Sequence, residues 1–185
     1  VEKMVDQGVK RVVLAAQPDP NWDDQGIAQS ALSTRFLLVA EEPVHDWTIL
    51  VFDALPQTST DLQVTFANQL ALAGYALQPA SLLPGGILAV HLRWQKENAH
   101  LTGREKVSLQ LLDTNGQLVA QEDRPLLLPS DPELPCSYGI LLPEKLAAGE
   151  YRLLLVLYDP EKADAQRITT VDGADTVQLT SLSVE

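Results

Sequence analysis

A single cysteine, Cys136, stands in a chain of 185 residues, so no internal disulfide can staple the fold. A lone cysteine fits both a reducing compartment and a bacterial envelope protein built without bridges, and it leaves the compartment open. Aromatic residues are scarce at 5 %, which makes the expected core aliphatic. Basic residues are outnumbered, 13 against 25 acidic ones, for a net charge of -12. Such a surface repels phosphate backbones and anionic headgroups, so nucleic acid is excluded as an expected partner. Long hydrophobic runs are missing too. FLLVA at Phe36 and LLLVLY at Leu153 fall far short of the roughly 18 residues of a membrane span, so no direct membrane insertion by this chain is expected. An initiator methionine and a signal-peptide pattern are also lacking, and the polar EKMVDQGVKR reads as the approach to a strand. The expectation is a piece excised from a longer protein.

What is present is the composition of a globular protein, 45 % hydrophobic and 21 % charged, long enough to bury a sizeable core. The polar stretch PQTSTD, Pro56 to Asp61, has no apolar periodicity and separates two regions. A small α/β segment is therefore expected over 1–58 and a β-sandwich domain over 59–185. In the first region RVVLAAQ, Arg11 to Gln17, is a continuous apolar run, the pattern of a strand covered on both faces. Asp23 or Asp24 would cap a short helix running to about Ser33, with Ile27, Ala28, Ala31 and Leu32 as its apolar face. RFLLVAEE and DWTILVFDA follow as two strands joined around Pro43, completing a β-α-β-β piece that reads as the tail of a larger α/β unit.

Beyond the boundary the period becomes two. LQVTF sets Leu62, Val64 and Phe66 on one face, and ILAVHLRW sets Leu88, Val90, Leu92 and Trp94 opposite Ala89, His91 and Arg93. In VSLQLLDTNGQLVAQED, Asn115-Gly116 supplies the positive φ angles of a tight hairpin. LAAGEYRLLLVLYDP pairs a turn with a long apolar strand. In DTVQLTSLSV the apolar phase shifts from Val177 and Leu179 to Leu182 and Val184, which predicts a bulge near Ser181. The stretch RPLLLPSDPELPCSYG carries four of the 12 prolines and is expected to be a long extended connection whose leucines cover a sheet edge or an open end. Seven to nine strands without intervening helices are best satisfied by a mainly β chain, an antiparallel β-sandwich of immunoglobulin-like or jelly-roll-like kind.

Chemistry-bearing patterns are sparse. His45, His91 and His100 lie on different elements with no H-x-x-x-H spacing and no cysteine partner, so no zinc site is expected. His91, on the polar side of its strand, reads as a solvated imidazole. No G-x-S-x-G places a serine on a strained turn, which disfavours a hydrolase. Pro84-Gly85-Gly86 is too short for a phosphate loop and lacks the following Lys-Ser/Thr, so it reads as a plain turn, as does Asp172-Gly173. Asp159, Glu161 and Asp164 would bind calcium with Asp172 and Asp175 only if two loops converged at one end of the sandwich; a solvated loop is the favoured reading. Trp22, Trp47 and Trp94 invite a sugar-stacking reading. Trp94 shares the phase of Leu88, Val90 and Leu92, and Trp47 alternates with Ile49 and Val51, so both are expected in the core, leaving Trp22 in the polar DPNWDD loop as the exposed one. No catalytic residue, metal or cofactor is expected, and ligand-binding residues remain open.

Taken in order, FANQLALAGYAL, PGGILAVHLRWQ, VSLQLLDTNGQLVAQED, LAAGEYRLLLVLYDP and VDGADTVQLTSLSV resemble the C-terminal extracytoplasmic region of bacterial membrane glycosyltransferases of the dolichyl-phosphate-mannose protein mannosyltransferase type. The resemblance covers about Leu62 to Glu185, and Arg11 to Ala54 look similar to the small α/β segment preceding the sandwich there. It implies a non-catalytic extracytoplasmic accessory domain, in the periplasm or at the cell surface, attached through the rest of its parent chain. Its implied partners are the membrane half of that parent and a carbohydrate or glycolipid acceptor. The family's catalytic acidic residue belongs to a loop near its first membrane span, and no position here matches it. Two other readings stand beside this one: a carbohydrate-binding module of a secreted enzyme, and an immunoglobulin-like adhesion or assembly module.

Overall fold

The computed structural model describes residues 1–17, 25–79, 81–126, 128–129, 131 and 134–184. The chain divides into two compact units, Val1–Gln57 and Thr58–Glu185.

The first unit runs α1 (Glu2–Asp6), β1 (Arg11–Ala16), α2 (Ile27–Ser33), β2 (Phe36–Val44) and β3 (Trp47–Ala54), with an antiparallel sheet of order β1-β3-β2. Its core joins Leu32 of α2 to Phe36, Leu50 and Phe52 of the sheet. Five expectations are corrected here. EKMVD forms a short helix in place of an extended approach. The strand β1 is not covered on both faces: it is an edge strand with Val13 61 % exposed, because a run of small and β-branched residues looks the same whether one side is covered or two. Gly26, in the left-handed conformation, is the N-cap of α2, while Asp23 and Asp24 lie outside the described residues. Leu32 is the buried residue of that helix, whereas Ile27 is exposed. The turn between β2 and β3 falls at His45-Asp46, not at Pro43, which lies inside β2 opposite Thr48. An edge strand tolerates a proline because one side of its backbone needs no ladder partner.

Arg11 and Asp53 face each other across β1 and β3. The guanidinium donates Nε to Oδ1 at 2.5 Å and Nη2 to Oδ2 at 2.7 Å, and the Asp53 side chain is fully buried. The bond to Asp53 raises the pKa of Arg11 against the lowering effect of burial, so the guanidinium keeps its charge.

The second unit is an antiparallel sandwich. Strands β4 (Thr60–Thr65), β5 (Ala71–Gln78), β6 (Ile87–Gln95) and β9 (Cys136–Leu141) form one sheet in the order β4-β5-β6-β9. Strands β7 (Lys106–Leu112), β8 (Leu118–Pro125), β10 (Gly149–Tyr158) and β11 (Val177–Val184) form the other, ordered β11-β10-β7-β8. Pairing β6 with β9 and β7 with β10 skips sequence neighbours, the crossed connection of a Greek key. In immunoglobulin nomenclature β5, β6 and β9 stand as A, B and E, and β7, β8, β10 and β11 as C, C′, F and G. The alternation is the cause of the layering: Leu88, Val90, Leu92 and Trp94 meet Leu109, Leu111, Leu153, Leu155 and Leu157 in one cluster. Phe66 packs on Trp94 with ring centroids 6.0 Å apart. Cys136 points into this core, where burial pushes its thiol up to about 12 against a small lowering by Lys96, so it is not a reactive thiolate.

The LAAGEY turn carries a device that its alternation does not announce. The Tyr151 hydroxyl donates to the Ala147 carbonyl at 2.7 Å, pinning the corner at the start of β10 in the manner of the tyrosine corner of immunoglobulin-like domains. The β7–β8 hairpin forms as expected, but only Gly116, at φ 77°, takes a positive φ. Asp113 closes the loop by accepting from the Asn115 and Gln117 backbone at 2.9 and 2.8 Å. The bulge in β11 lies opposite Leu153 and Leu154, whose partners are Thr180 and Gln178. Leu179 is thus the extra residue, two positions before the expected Ser181. The proline-rich stretch is a connection only in part, since its first residues, Arg124 and Pro125, end β8 and its last, Cys136 to Gly139, open β9. Leu126 and Leu128 pack against the core.

Candidate functional site

Three connections meet at one end of the sandwich: the β4–β5 turn, the β6–β7 loop and the β10–β11 loop. Backbone hydrogen bonds stitch them together. His100 N donates to Asn68 O at 2.7 Å and Ala67 N to Thr169 O at 2.8 Å, while Asp159 N to Gln166 O at 3.1 Å folds the β10–β11 loop on itself. Between them lies a cleft of about 300 Å³, walled by Asn68 from the first connection, His100, Thr102 and Glu105 from the second, and Asp159, Lys162 and Gln166 from the third. The β6–β7 and β10–β11 loops are the B–C and F–G loops, the end that antibody variable domains use for binding. That parallel is one of fold alone.

Two carboxylates form the floor. Glu105 is 4 % exposed and its oxygens accept from Thr102 N at 2.7 Å, Thr102 Oγ1 at 2.9 Å and Gly103 N at 3.0 Å. Burial pushes this carboxyl up, but the bonds from the Thr102 and Gly103 backbone and the Thr102 hydroxyl together outweigh it and hold the pKa below its ordinary value of 4.5. Sequence reading passed over Glu105; its signal was the Thr102-x-x-Glu105 spacing, that of a capping box, here closing a loop before a strand. Asp159 is 1 % exposed, accepting from Glu161 N at 3.1 Å and from Arg104 Nη2 at 3.4 Å.

Because Glu105 binds its proton more weakly folded than unfolded, it contributes stability above its ordinary pKa, and that contribution disappears as pH falls through the lowered folded value. The variant Glu105→Gln is expected to lose about 1–2 kcal/mol at neutral pH, since one amide group cannot accept all three bonds. The stability gap to wild type should narrow as pH falls below the ordinary value of 4.5 and through the lowered folded value. Urea titrations at several pH values measure it, and a gap constant with pH would refute the role.

The acidic loop residues do not assemble a cation site. Arg104 Nη1 holds Glu161 at 2.9 Å, Arg167 Nη1 holds Asp175 at 2.8 Å, and the Asp172 carboxylate takes the Thr170 hydroxyl, the first of the causes that lower its pKa. Among the described residues no group of three or more His, Cys, Asp or Glu side chains is placed to hold a metal ion. Gly86 N closes a turn on the Leu83 carbonyl while Gly85 N donates to Pro143 O, and Gly173 N closes a turn on Thr170.

The three histidines stay apart: His45 in the β2–β3 turn, His91 in mid-sheet and His100 at the cleft. His91 corrects the solvated reading. It is 1 % exposed, with Nδ1 and the Ser137 hydroxyl 2.9 Å apart on the next strand. Its strand lies between β5 and β9, and Ala76 and Ala89 on the same side are buried as well. Alternation gives the side of a strand but not whether that side is wet. Trp94 is in the core, 6 % exposed. Trp47 is not: 42 % exposed, it opens β3 beside the turn, where burial along the strand has not yet begun. Trp22 lies outside the described residues.

No family model and no curated protein sequence matches the chain. Solved structures similar in part include a β-glucuronidase of Bifidobacterium dentium complexed with coumarin-3-O-glucuronide, 15 % identical over 75 % of this chain and 19 % of that one, at a TM-score of 0.37. FetP of a uropathogenic E. coli strain is 12 % identical over 71 % of this chain and 100 % of its own, at 0.35. A β-glucuronidase of Ruminococcus gnavus is 14 % identical over 75 % of this chain and 17 % of that one, at 0.29. This chain spans about a fifth of the length of the glucuronidases it matches. Likeness of this degree decides nothing about activity.

Proposed function

We propose that this chain is a non-catalytic accessory module that scaffolds, or weakly holds, a carbohydrate or glycolipid acceptor beside the membrane half of a glycosyltransferase-like parent, on the extracytoplasmic side. The observation carrying the binding part is the loop-end cleft, whose two buried carboxylates are held by the loops that wall it. Groups tied down in this way shape a cleft and do not act as a proton-transferring pair. The glycosyltransferase link rests on the order of strand and turn motifs from Leu62 onward. Affinity near the millimolar level, about -4 kcal/mol, suits a domain acting where the acceptor is held in place by the membrane.

Trp47 favours a second reading. Its exposed ring is the kind of platform a carbohydrate-binding module uses. Reading the coding sequence upstream of Val1 separates the two. Multiple hydrophobic spans are expected, together with no turnover of a lipid-phosphate sugar by the isolated chain. A hydrolase domain upstream would establish the second reading in its place.

A further inference from the structure

We propose that the cleft between the β4–β5, β6–β7 and β10–β11 connections is a subsite for one neutral sugar ring, recognised through a vicinal diol and without aromatic stacking. The proposal deepens the accessory-module reading and rests on it. Its volume, about 300 Å³, lies at the lower end for small-molecule sites, so it suits a unit of one or two rings.

The groups facing the cleft decide the ligand class. Asn68 Nδ2 is a buried donor with no hydrogen-bond partner among the described residues. Lys162 lines the same cleft and makes no ion pair among them, and it offers three donors and no acceptor. Gln166 adds an amide that both donates and accepts. On the floor, Glu105 accepts three bonds and Asp159 two, fewer than the roughly four lone-pair sites of a carboxylate, so each keeps acceptor capacity. Donors and acceptors thus alternate over a short span. A vicinal diol, each hydroxyl of which gives one proton and takes another, matches that arrangement.

An acidic sugar does not. The loops around the cleft carry Glu161, Asp164, Asp172 and Asp175 besides the floor carboxylates, against Arg104, Lys162 and Arg167, within a chain of net charge -12. A ligand carboxylate would enter against that field. Stacking on a large ring is excluded by the lining, in which Ala67 and Ile168 supply the apolar contact and, among the described residues, no Phe, Tyr or Trp takes part. The cleft at the opposite end, about 280 Å³ around Asp113 and Lys145 to Tyr151, is the weaker candidate, because Asp113 and Tyr151 are occupied by the hairpin turn and the tyrosine corner.

The experiment is a ¹⁵N–¹H titration of the whole chain with methyl glucoside, methyl mannoside and methyl galactoside, with galacturonate as the acidic arm. Saturable shifts confined to amides near 67–69, 100–105 and 159–169 are expected for at least one neutral glycoside, with galacturonate binding more weakly. Lys162→Ala, a change at an exposed side chain, should weaken binding about fivefold, the loss of one hydrogen bond. Trp47→Ala should leave it unchanged. Absence of saturable shifts at the cleft, equal or tighter binding of galacturonate, or loss of binding in Trp47→Ala would each overturn the proposal. None of these results touches the non-catalytic reading, which falls only if the chain transfers or hydrolyses sugar.

Discussion

Replacing Leu155 by alanine is expected to destabilise the sandwich by about 3–4 kcal/mol. Leu155 sits at the centre of β10, 0 % exposed, paired with Leu109 on one side and Val177 on the other. A strand clamped between two neighbours cannot move in to fill the space of a lost isobutyl group, so the cavity cost adds to the transfer cost. In urea the midpoint should fall by about 2 M with an unchanged slope, for a slope near 2 kcal/mol/M. A loss below about 1 kcal/mol would mean that this face of β10 is not the core.

The second large effect is expected in the first unit. Asp53→Ala removes a fully buried carboxylate and leaves the Arg11 guanidinium without its bidentate partner. Breaking a buried pair costs about 3–5 kcal/mol when both charges are sequestered. The Arg11 side chain is 32 % exposed and can turn toward water, which reduces the expected loss to about 2–3 kcal/mol. Hydrogen exchange at the amides of β1 and β3 reads this directly: protection should drop about thirtyfold or more. A drop below about threefold would show that the pair contributes little. Substituting both partners, as Arg11→Met with Asp53→Leu, should recover most of the stability, because the uncompensated charge is then gone.

Both effects arise from positions whose residue types were visible in the chain but whose partners were not. The alternation of Leu153, Leu155 and Leu157 announces a half-buried strand on its own, and Asn115-Gly116 announces the hairpin, because each depends on residues within a few positions of one another. Arg11 and Asp53 are 42 positions apart, and nothing local relates them.

The candidate site shows the same division more sharply. Asp159 was noticed as one of an acidic cluster, while its engagement by Arg104 comes from a different loop. Glu105 drew no attention because its capping-type spacing precedes a strand. His91 and Trp47 were misplaced in opposite directions: period-two patterning gives the side of the sheet and says nothing of what lies over it.

By itself, then, the sequence determined the strand periodicity, the turn chemistry, the aliphatic core and the antiparallel sandwich, since these follow from contacts between near neighbours and from the pleat. Only the tertiary structure decided the crossed β6–β9 and β7–β10 pairings, the burial of His91, the exposure of Trp47 and the cleft joining Asn68, His100 and Thr169. Those depend on segments 30 to 100 residues apart in the chain, whose meeting is fixed by the packing of two sheets and left no periodic trace in either segment.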